Sequence, residues 1–269
     1  MLELFDEDFD AMELAEGALV LNKAINPETE VHWAELELAR LLSAAELELV
    51  HEPNEKQRFE RFIRLFYTEW GFSGDQEAYY DSANAFMDKV LQRRKGIPVS
   101  LGALLLYFGK KLGFPLTGVT FPSQFLLRVE WYGEKPQYIN PFNGEYVSEH
   151  TLSAWLVGHS GPFSTLKEEH LKEADNPTVI GRWLALIKSA LLREERYTLA
   201  LRCTDLALTF VPDDPYEIRD RGFIYQQLDC HQIAMTDYQY FIDQCPDDPA
   251  AELLKNQVNA MGNPQVILH

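Results

Sequence analysis

The side chains that most often act as nucleophiles and proton carriers are unevenly spread along this chain. All three cysteines, Cys203, Cys230 and Cys245, lie in its last third, and no histidine occurs between His51 and His150. Thiol acyl transfer needs a thiolate, a base that generates it and a group that orients the base. The segment between these two histidines therefore lacks both the thiol and the imidazole for that chemistry.

Ser100 carries the hydroxyl that could replace such a thiol, because it lies near the start of a predicted helix. A serine needs a neighbouring general base even more than a cysteine does, and none is close in the sequence. His150 and His159 could fold back towards it, but we interpret both as surface histidines. We therefore predict that Ser100 caps or packs the helix and that the chain has no catalytic residue.

No residue spacing in the chain is typical of a metal or cofactor site. The histidines include no HExxH pair, and the cysteines include no CxxC pair. Gly102 and Gly109 both lie inside a predicted helix, so they do not form a glycine-rich phosphate loop. We expect neither a metal ion nor a cofactor.

A helix starting at Pro98 is predicted near the centre of the chain. Gly96 and Ile97 break the preceding pattern, and proline suits the first turn of a helix, where its missing N–H is not needed. Gly113 and Pro115 end the helical pattern. Between these limits, apolar residues recur at three- and four-residue spacing and give the helix one apolar face: Leu101, Leu104, Leu105, Phe108 and Leu112.

The residues after this helix change to a strand pattern. Residues 120–129 are rich in β-branched and aromatic types, which favours a strand. Residues 133–136 can turn the chain, so that residues 137–142 pair back on the first strand. We therefore expect the helix to be followed by an antiparallel pair of strands.

The order and spacing of these elements resemble the transglutaminase-like core, a branch of the papain-like cysteine-nucleophile folds. In that family Gly-x-Cys opens a helix that ends in Leu-Gly-x-Pro, the next strand begins with His, and the following strand ends with Asp before Pro. Gly96 and residues 112–115 match the two ends of the helix. The resemblance then places the nucleophile on Pro98, the base on Gln124 and the orienting carboxylate on Asn140. Because none of these three side chains can serve in its role, we interpret the core as degenerate.

A closer resemblance is to the SirB-type bacterial proteins, which join such a core to tetratricopeptide repeats. It implies a vestigial pocket containing Ser100, Gln124, Asn140 and Asn84, with Gln124 and Asn140 facing each other near the helix start. Such a pocket could still bind a peptide without catalysing a reaction on it. The matching residues are spread over the centre of the chain: Tyr80, Asn84, Val90, Leu91, Arg94 and the runs 96–98, 121–125 and 140–142.

A proline-containing segment recurs in the last third of the chain. Residues 211–215, VPDDP, return as residues 245–249, CPDDP, thirty-four positions later. This interval is the tetratricopeptide period, and Gly222 lies where that motif needs a small residue. Lys188 stands at the equivalent place in the first repeat, and Phe241 stands where a small residue is usual. We expect the packing at these two positions to differ from the common pattern.

Composition argues against several classes of partner. The 269 residues are 46% hydrophobic, enough for a well-buried core, and the net charge of −18 argues against nucleic acid or anionic lipid as partners. No apolar run is long enough to span a membrane, and the acidic amino terminus is unlike a secretory signal. With the odd number of cysteines, these features predict a cytoplasmic protein with no nucleic-acid or membrane partner.

Charged residues concentrate in two short stretches. Residues 1–50 hold thirteen acidic residues and two basic ones, which we interpret as a solvated helical face, with a docking surface for a basic partner as the alternative. The basic run 93–95 fits the carboxyl end of a helix, where cations complement the dipole, or a site for an acidic partner. Residues 31–50 also predict a helix, and we expect its core face to include Trp33, Leu36, Leu38, Leu41 and Leu42.

These patterns predict a mostly helical α+β fold. Residues 1–176 form a helical region with a degenerate transglutaminase-like core and a small antiparallel sheet; residues 177–269 form two tetratricopeptide repeats with a capping helix. We expect a non-catalytic interaction or regulatory protein that binds a protein or peptide through the repeat face, the vestigial cleft or both. The alternative is an atypical hydrolase or acyltransferase, such as a peptidase or amidase, with a non-standard nucleophile. The sequence leaves the oligomeric state open.

Overall fold

The structure is a computed structural model that describes residues 12–262. These residues divide into two compact units, 12–183 and 184–262, and the division falls inside one helix, Asn176–Arg193. Both units are mostly helical, and the first also contains a small antiparallel sheet. The predicted mostly helical α+β class is therefore confirmed.

Five α-helices open the described part of the 12–183 unit. The Asn54 side chain accepts hydrogen bonds from the backbone N–H groups of Lys56 and Gln57 and so caps the third helix, which continues into a π-helical turn, Leu65–Glu69. Pro98 begins the fifth helix, as predicted. The helices are α1 (Leu14–Ile25), α2 (Val31–Leu49), α3 (Glu55–Arg64), α4 (Met87–Arg93) and α5 (Pro98–Lys111).

Six short strands form two sheets in the same unit. Strands β1 (Ser73–Gly74) and β2 (Lys95–Gly96) pair in parallel, just before α5. The main sheet is antiparallel, with its four strands paired in chain order. Its strands are β3 (Leu116–Phe121), β4 (Gln124–Val129), β5 (Gln137–Ile139) and β6 (Tyr146–Val147), followed by α6 (Glu149–Ser160), a 3₁₀ turn (Glu168–Leu171) and α7 (Asn176–Arg193).

The prediction of a single strand over residues 120–129 was wrong. The chain reverses at Pro122 and Ser123, so Phe121 pairs with Gln124 across a hairpin, and the paired strands run on to Leu116 and Val129. Proline has no N–H to donate to a sheet ladder, which is why it fits the turn and not a strand interior.

The main sheet lies between two helices. Phe125 of β4 faces α5, because a Cβ placed on Gly102 would lie 2.5 Å from its ring. The next residue, Leu126, packs instead with Leu152 and Leu156 of α6. Since side chains alternate along a strand, the neighbours of Phe125 on β4 point towards α6 and not towards α5.

Helix α2 buries one face and exposes the other. Leu38 and Leu41 are buried as predicted, but the expectation that Trp33 and Leu36 also lie in the core was wrong, because they are 38% and 58% exposed. The helix carries apolar residues on both sides, so the apolar spacing alone could not show which side packs inwards.

Four further helices follow α7 in the 184–262 unit. Asp214 accepts hydrogen bonds from the N–H groups of Tyr216 and Glu217, so the repeated Asp-Pro dipeptide supplies both a cap and a first-turn proline. No helix within residues 12–262 combines the length and hydropathy that crossing a membrane requires. The helices are α8 (Tyr197–Phe210), α9 (Pro215–Gln227), α10 (His231–Gln244) and α11 (Pro249–Gly262).

Candidate functional site

Ser100, the hydroxyl considered as a nucleophile, is fully buried in the first turn of α5. Its Oγ accepts a hydrogen bond from the Ile97 N–H (3.1 Å) and donates one to the Asn84 carbonyl oxygen (2.7 Å). A backbone carbonyl cannot take up the hydroxyl proton as a general base would. Ser100 therefore ties the start of α5 to the preceding chain and is not placed to attack a substrate.

Asn84 belongs to a polar network beside the start of α5. Its side-chain amide donates to the Ala78 carbonyl oxygen (2.7 Å), and its Oδ1 accepts from Arg93 (3.2 Å), which also pairs with Asp75 (2.9 Å). Burial alone would raise the pKa of the Asp75 carboxyl, but hydrogen bonds from the Ala78 N–H and Asn84 and the charge of Arg93 outweigh it and hold this pKa below its ordinary value. The network is satisfied internally and fixes the chain that leads to α5.

The amino end of α5 is covered by neighbouring chain. Pro98, which begins the helix, is buried, and Pro141 packs on the helix where a Cβ on Gly102 would lie 3.3 Å from the proline ring. Next to it, the Phe142 ring crowds Gly74, whose N–H donates to the Phe142 carbonyl oxygen (2.7 Å). A nucleophile at this helix start would need an open approach, and these residues fill it.

Asn140 uses its side chain and backbone to form a turn. The Oδ1 atom accepts from the Phe142 N–H (3.0 Å), the Asn140 N–H donates to the Glu145 carbonyl oxygen (2.9 Å), and the Asn140 carbonyl accepts from the Gly144 N–H (2.8 Å). Asparagine commonly binds its own backbone in this way at turns. In the structure Asn140 therefore shapes the segment that covers α5.

Gln124 lies on the other face of the sheet. It lines a shallow groove of about 430 Å³ together with Trp155 and His159 of α6. Strand alternation causes this, because its neighbour Phe125 occupies the face towards α5. No hydrogen bond joins Gln124 to Asn140 among the described residues, so the expected face-to-face pair is not formed.

The predicted pocket residues are thus only partly brought together. Pro98, Ser100 and Asn84 meet at the start of α5, Asn140 lies in the turn beside it, and Gln124 points away. His159, interpreted from the sequence as a surface residue, is exposed and shares the groove with Gln124. The period-two pattern of β4 was the feature that could have placed Gln124 beside α6.

The basic run 93–95 is used largely within the fold. Arg94 ends α4 in the left-handed region (φ 57°), stacks over the Phe72 ring at 4.6 Å and forms an ion pair with Glu37. A hydrogen bond from Arg40, opposed by burial and helped by Arg94, holds the pKa of Glu37 below its ordinary value. These contacts favour the structural interpretation of the run over a site for an acidic partner.

The acidic residues of the amino-terminal stretch are partly paired. Those at positions 3–10 lie outside the described residues. Further along, Glu13 contacts Lys110 at 2.7 Å, and Glu48 forms an ion pair with Arg61. Some of the charge that suggested a docking surface is therefore neutralised inside the 12–183 unit.

In the repeat unit, Gly222 fits the repeat pattern and Phe241 departs from it. A Cβ on Gly222 would come within 2.9 Å of the Tyr238 ring, so glycine permits the close approach of α9 and α10. Phe241, where a small residue is usual, is fully buried, with its ring edge-on to Tyr216 at 5.5 Å. Arg219 lies over both rings at 5.3 Å.

Lys188 replaces a small residue with a buried charge. Its ammonium lies 2.7 Å from carboxylate oxygens of both Glu217 and Asp220. Burial alone would lower the pKa of Lys188, but the hydrogen bonds and charges of Asp220 and Glu217 raise it above its ordinary value. The lysine therefore stays charged and joins α7 to α9.

The three cysteines differ in exposure. Cys203 is buried, and burial raises the pKa of its thiol to about 12. Cys230 is exposed, and Cys245 is half-buried. Residues 12–262 contain no cluster of histidine, cysteine and acidic side chains that could hold a metal ion.

One face of the repeat unit presents apolar side chains to solvent. Gln226 of α9 and Gln257 of α11 are hydrogen-bonded, so these two helices share a face. Phe223 and Leu253 precede these glutamines by about one helical turn and are 41% and 71% exposed. Because residues one turn apart lie on the same side of a helix, the two apolar side chains flank the glutamine pair. We call Phe223, Leu253 and the glutamine pair the repeat face.

Comparisons with known proteins agree with this two-part organisation. Residues 32–185 match the transglutaminase-like superfamily, and residues 187–259 match the tetratricopeptide repeat family. The chain belongs to the transglutaminase-like superfamily. No solved structure matches the chain.

Full-length relatives of this transglutaminase-like protein confirm the SirB-type resemblance. A UPF0162 protein of Vibrio cholerae is 76% identical over the whole of both chains. Protein SirB1 of Salmonella typhimurium and the UPF0162 protein YchA of Escherichia coli K12 are each 42% identical, again over the whole of both chains. The core and the repeats therefore occur together in these relatives.

Proposed function

We propose that this transglutaminase-like protein is a non-catalytic interaction protein of the cytoplasm, which binds a protein or peptide through its repeats. The observation that carries the proposal is the start of α5. There a proline occupies the position that the superfamily resemblance gives to the nucleophile, and the nearby Ser100 is buried and hydrogen-bonded to backbone. An acyl-transfer enzyme needs an accessible nucleophile and a base within hydrogen-bonding reach.

The repeat face supports binding as the activity. Tetratricopeptide arrays bind other proteins through extended surfaces, and exposed apolar side chains beside hydrogen-bonding groups are typical of such surfaces. Phe223 and Leu253 provide the apolar part. The Gln226 Oε1 accepts from Tyr238 and Gln257, so the Gln226 amino group and the Gln257 Oε1 are the atoms proposed to pair with a peptide backbone. We therefore expect an extended peptide segment with apolar side chains as the ligand.

A two-part experiment tests the proposal on the full chain. In the first part, the purified protein is treated with a serine-directed phosphonate probe, and the labelled residues are mapped by mass spectrometry. We expect no label on Ser100. Modification of Ser100 would overturn the non-catalytic assignment. Cysteine reagents are less informative, because the exposed thiol of Cys230 reacts whether or not the protein is an enzyme.

In the second part, partners captured from native cytoplasm are identified and their affinities are measured with purified components. A double variant, Phe223→Glu with Leu253→Glu, should weaken the binding at least about tenfold, because it places charge on an apolar contact. Phe163→Glu is the matched control, since Phe163 is 97% exposed in a loop of the other unit. A partner that binds the double variant as tightly as the unmodified protein would contradict the repeat face as the binding surface.

A further inference from the structure

Helix α2 has an outward face that the other described residues of the 12–183 unit leave uncovered. Its buried residues, such as Leu38 and Leu41, point to the core, and a second row of side chains points to solvent. Leu36, Leu47 and Val50 in this row are 58%, 77% and 68% exposed. We call the row the outer stripe of α2; it consists of Trp33, Leu36, Arg40, Ser43, Leu47 and Val50.

The spacing of the outer stripe is that of a coiled-coil seam. Its residues alternate steps of three and four along the chain, which keeps them on one side of the helix. Val50 has helical backbone angles although it follows the last residue of α2, so the stripe continues to its end. The buried residues of α2 lie on the opposite side.

The stripe is symmetric about its midpoint, between Leu41 and Leu42. If a second copy of α2 lies antiparallel across it, Trp33 faces Val50 of the second copy and Leu36 faces Leu47 of the second copy. At the centre Arg40 faces Ser43 of the second copy. The large Trp33 and Arg40 thus face the smaller Val50 and Ser43 of the second copy. Leucine faces leucine between them.

The centre of the stripe tolerates such a contact. Arg40 already forms a two-pronged ion pair with Glu37 on the same helix, at 2.7 and 2.8 Å. Glu37 is shared with Arg94, so Arg40 keeps part of its charge; its aliphatic stem can cover the small Ser43 of the second copy while its charged head stays in water.

We propose that the outer stripe of α2 is a homodimer interface, in which two copies of this chain pack their α2 helices antiparallel about a twofold axis. An isologous contact requires a surface that is complementary to itself, which the symmetric stripe provides. Six residues per copy are far fewer than the 20–30 of a standard interface, so the dimer is weak, with a dissociation constant in the micromolar range.

The net charge gives the dimer a characteristic salt dependence. Each copy carries a net charge of −18, so two copies repel each other, and added salt screens this repulsion. Dimerisation therefore strengthens as ionic strength rises. Docking of a basic partner on acidic residues would weaken as ionic strength rises. The direction of the salt dependence therefore distinguishes dimerisation from such docking.

The test is sedimentation velocity on the full chain over a concentration series from about 1 to several hundred micromolar. We expect a monomer–dimer equilibrium for the unmodified protein. Leu36→Glu should raise the dissociation constant at least about 100-fold, because it buries charges that have no partner. Phe163→Glu is the control, since it places a carboxylate on an exposed apolar side chain outside both α2 and the repeat face, and it should leave the equilibrium unchanged.

Charge exchange tests the antiparallel register. Leu36→Glu mixed with Leu47→Lys should restore a mixed dimer, because these two positions face each other. Leu36→Glu mixed with Leu36→Lys should not. A protein that is monomeric throughout the series, a dimer that Leu36→Glu does not weaken, or rescue by the second mixture alone would each overturn the proposal. Partner binding at the repeat face is measured separately, so its failure is distinguishable from failure of the dimer.

Discussion

The start of α5 and the junction of α7 with α9 both bury polar side chains, but they do so in different ways. At α5 the buried Ser100 is neutral and all its hydrogen bonds are to backbone groups. At the junction, Lys188 is charged and held by two carboxylates, Glu217 and Asp220. The first arrangement ties one chain segment to another, and the second holds helices of two successive repeats together.

This difference predicts how each region responds to loss of a side chain. Removing a neutral hydroxyl leaves two backbone groups without a partner, which costs a desolvation penalty of modest size. Removing one member of a buried ion pair leaves a charge without its counter-charge, which costs more. The repeat unit should therefore be the more sensitive of the two to a single polar substitution.

The largest effect is expected from Lys188→Met. Methionine leaves both carboxylates without the ammonium, and one oxygen of Glu217 already has no hydrogen-bond partner. We expect the free energy of unfolding, measured by urea denaturation of the full chain, to fall by about 3 kcal/mol. Lys255→Met, which removes an exposed pair with Glu252, is the control and should cost less than about 1 kcal/mol. An equal loss of unfolding free energy in the two variants would show that the buried ion pairs of Lys188 stabilise the protein no more than the exposed pair of Lys255.

Two helical glycines, one on α5 and one on α9, allow the packing of the two regions to be compared. A Cβ on Gly102 would lie 2.5 Å from the Phe125 ring, and one on Gly222 would lie 2.9 Å from the Tyr238 ring. Because the first overlap is tighter, we expect Gly102→Ala to cost about 2 kcal/mol and Gly222→Ala about 1 kcal/mol in the same urea measurement.

Gly181 in α7 provides the control for these two substitutions. A Cβ there meets no atom within 4 Å, so Gly181→Ala should stabilise the protein by about 0.5–1 kcal/mol through helix propensity alone. If Gly102→Ala also stabilised the protein, α5 could not pack against the sheet as closely as described.

The sequence predicted those features that follow from local spacing. The helix from Pro98, the capping helix and the close approach at Gly222 all depend on residues within a few turns of each other. The exposure of Trp33 could not be predicted in this way, because α2 is apolar on two sides and tertiary packing selects the inner one. The hairpin at Pro122 was missed because the flanking residues are strand formers on both sides.

The candidate site was harder to predict than the fold, for a geometric reason. The family resemblance aligned Gln124 with a catalytic base, but the orientation of a strand residue depends on which of two faces its neighbours occupy. Phe125 packs under α5 and so turns Gln124 to α6. The internal bonding of Asn140 also depends on a turn whose partners, such as Glu145, lie beyond the matched motif.

Ser100→Ala tests how much the neutral, buried hydroxyl at the start of α5 contributes to stability. Alanine leaves the Ile97 N–H and the Asn84 carbonyl oxygen without their partner in a buried position. We expect a loss of about 1–2 kcal/mol in the free energy of unfolding, smaller than that of Lys188→Met. Ser153→Ala is the control, because Ser153 donates to the Glu149 carbonyl oxygen on the surface of α6, and it should change stability by less than about 0.5 kcal/mol. A loss at Ser100 larger than that at Lys188 would reverse the comparison.

The smallest expected effect is a pH dependence at the network beside α5. The pKa of Asp75 is depressed in the folded protein, so its contribution to stability is fully present above the ordinary pKa of an aspartate, near 4, and is lost as the pH falls through the depressed value. Asp75→Asn should therefore be less stable than the unmodified protein at neutral pH, by about 1 kcal/mol, and the difference should shrink below about pH 4. Urea denaturation at pH 7 and at several acidic values measures it, with Asp247→Asn as an exposed control. A difference that stayed constant or grew in acid would show that the Asp75 charge does not stabilise the chain leading to α5.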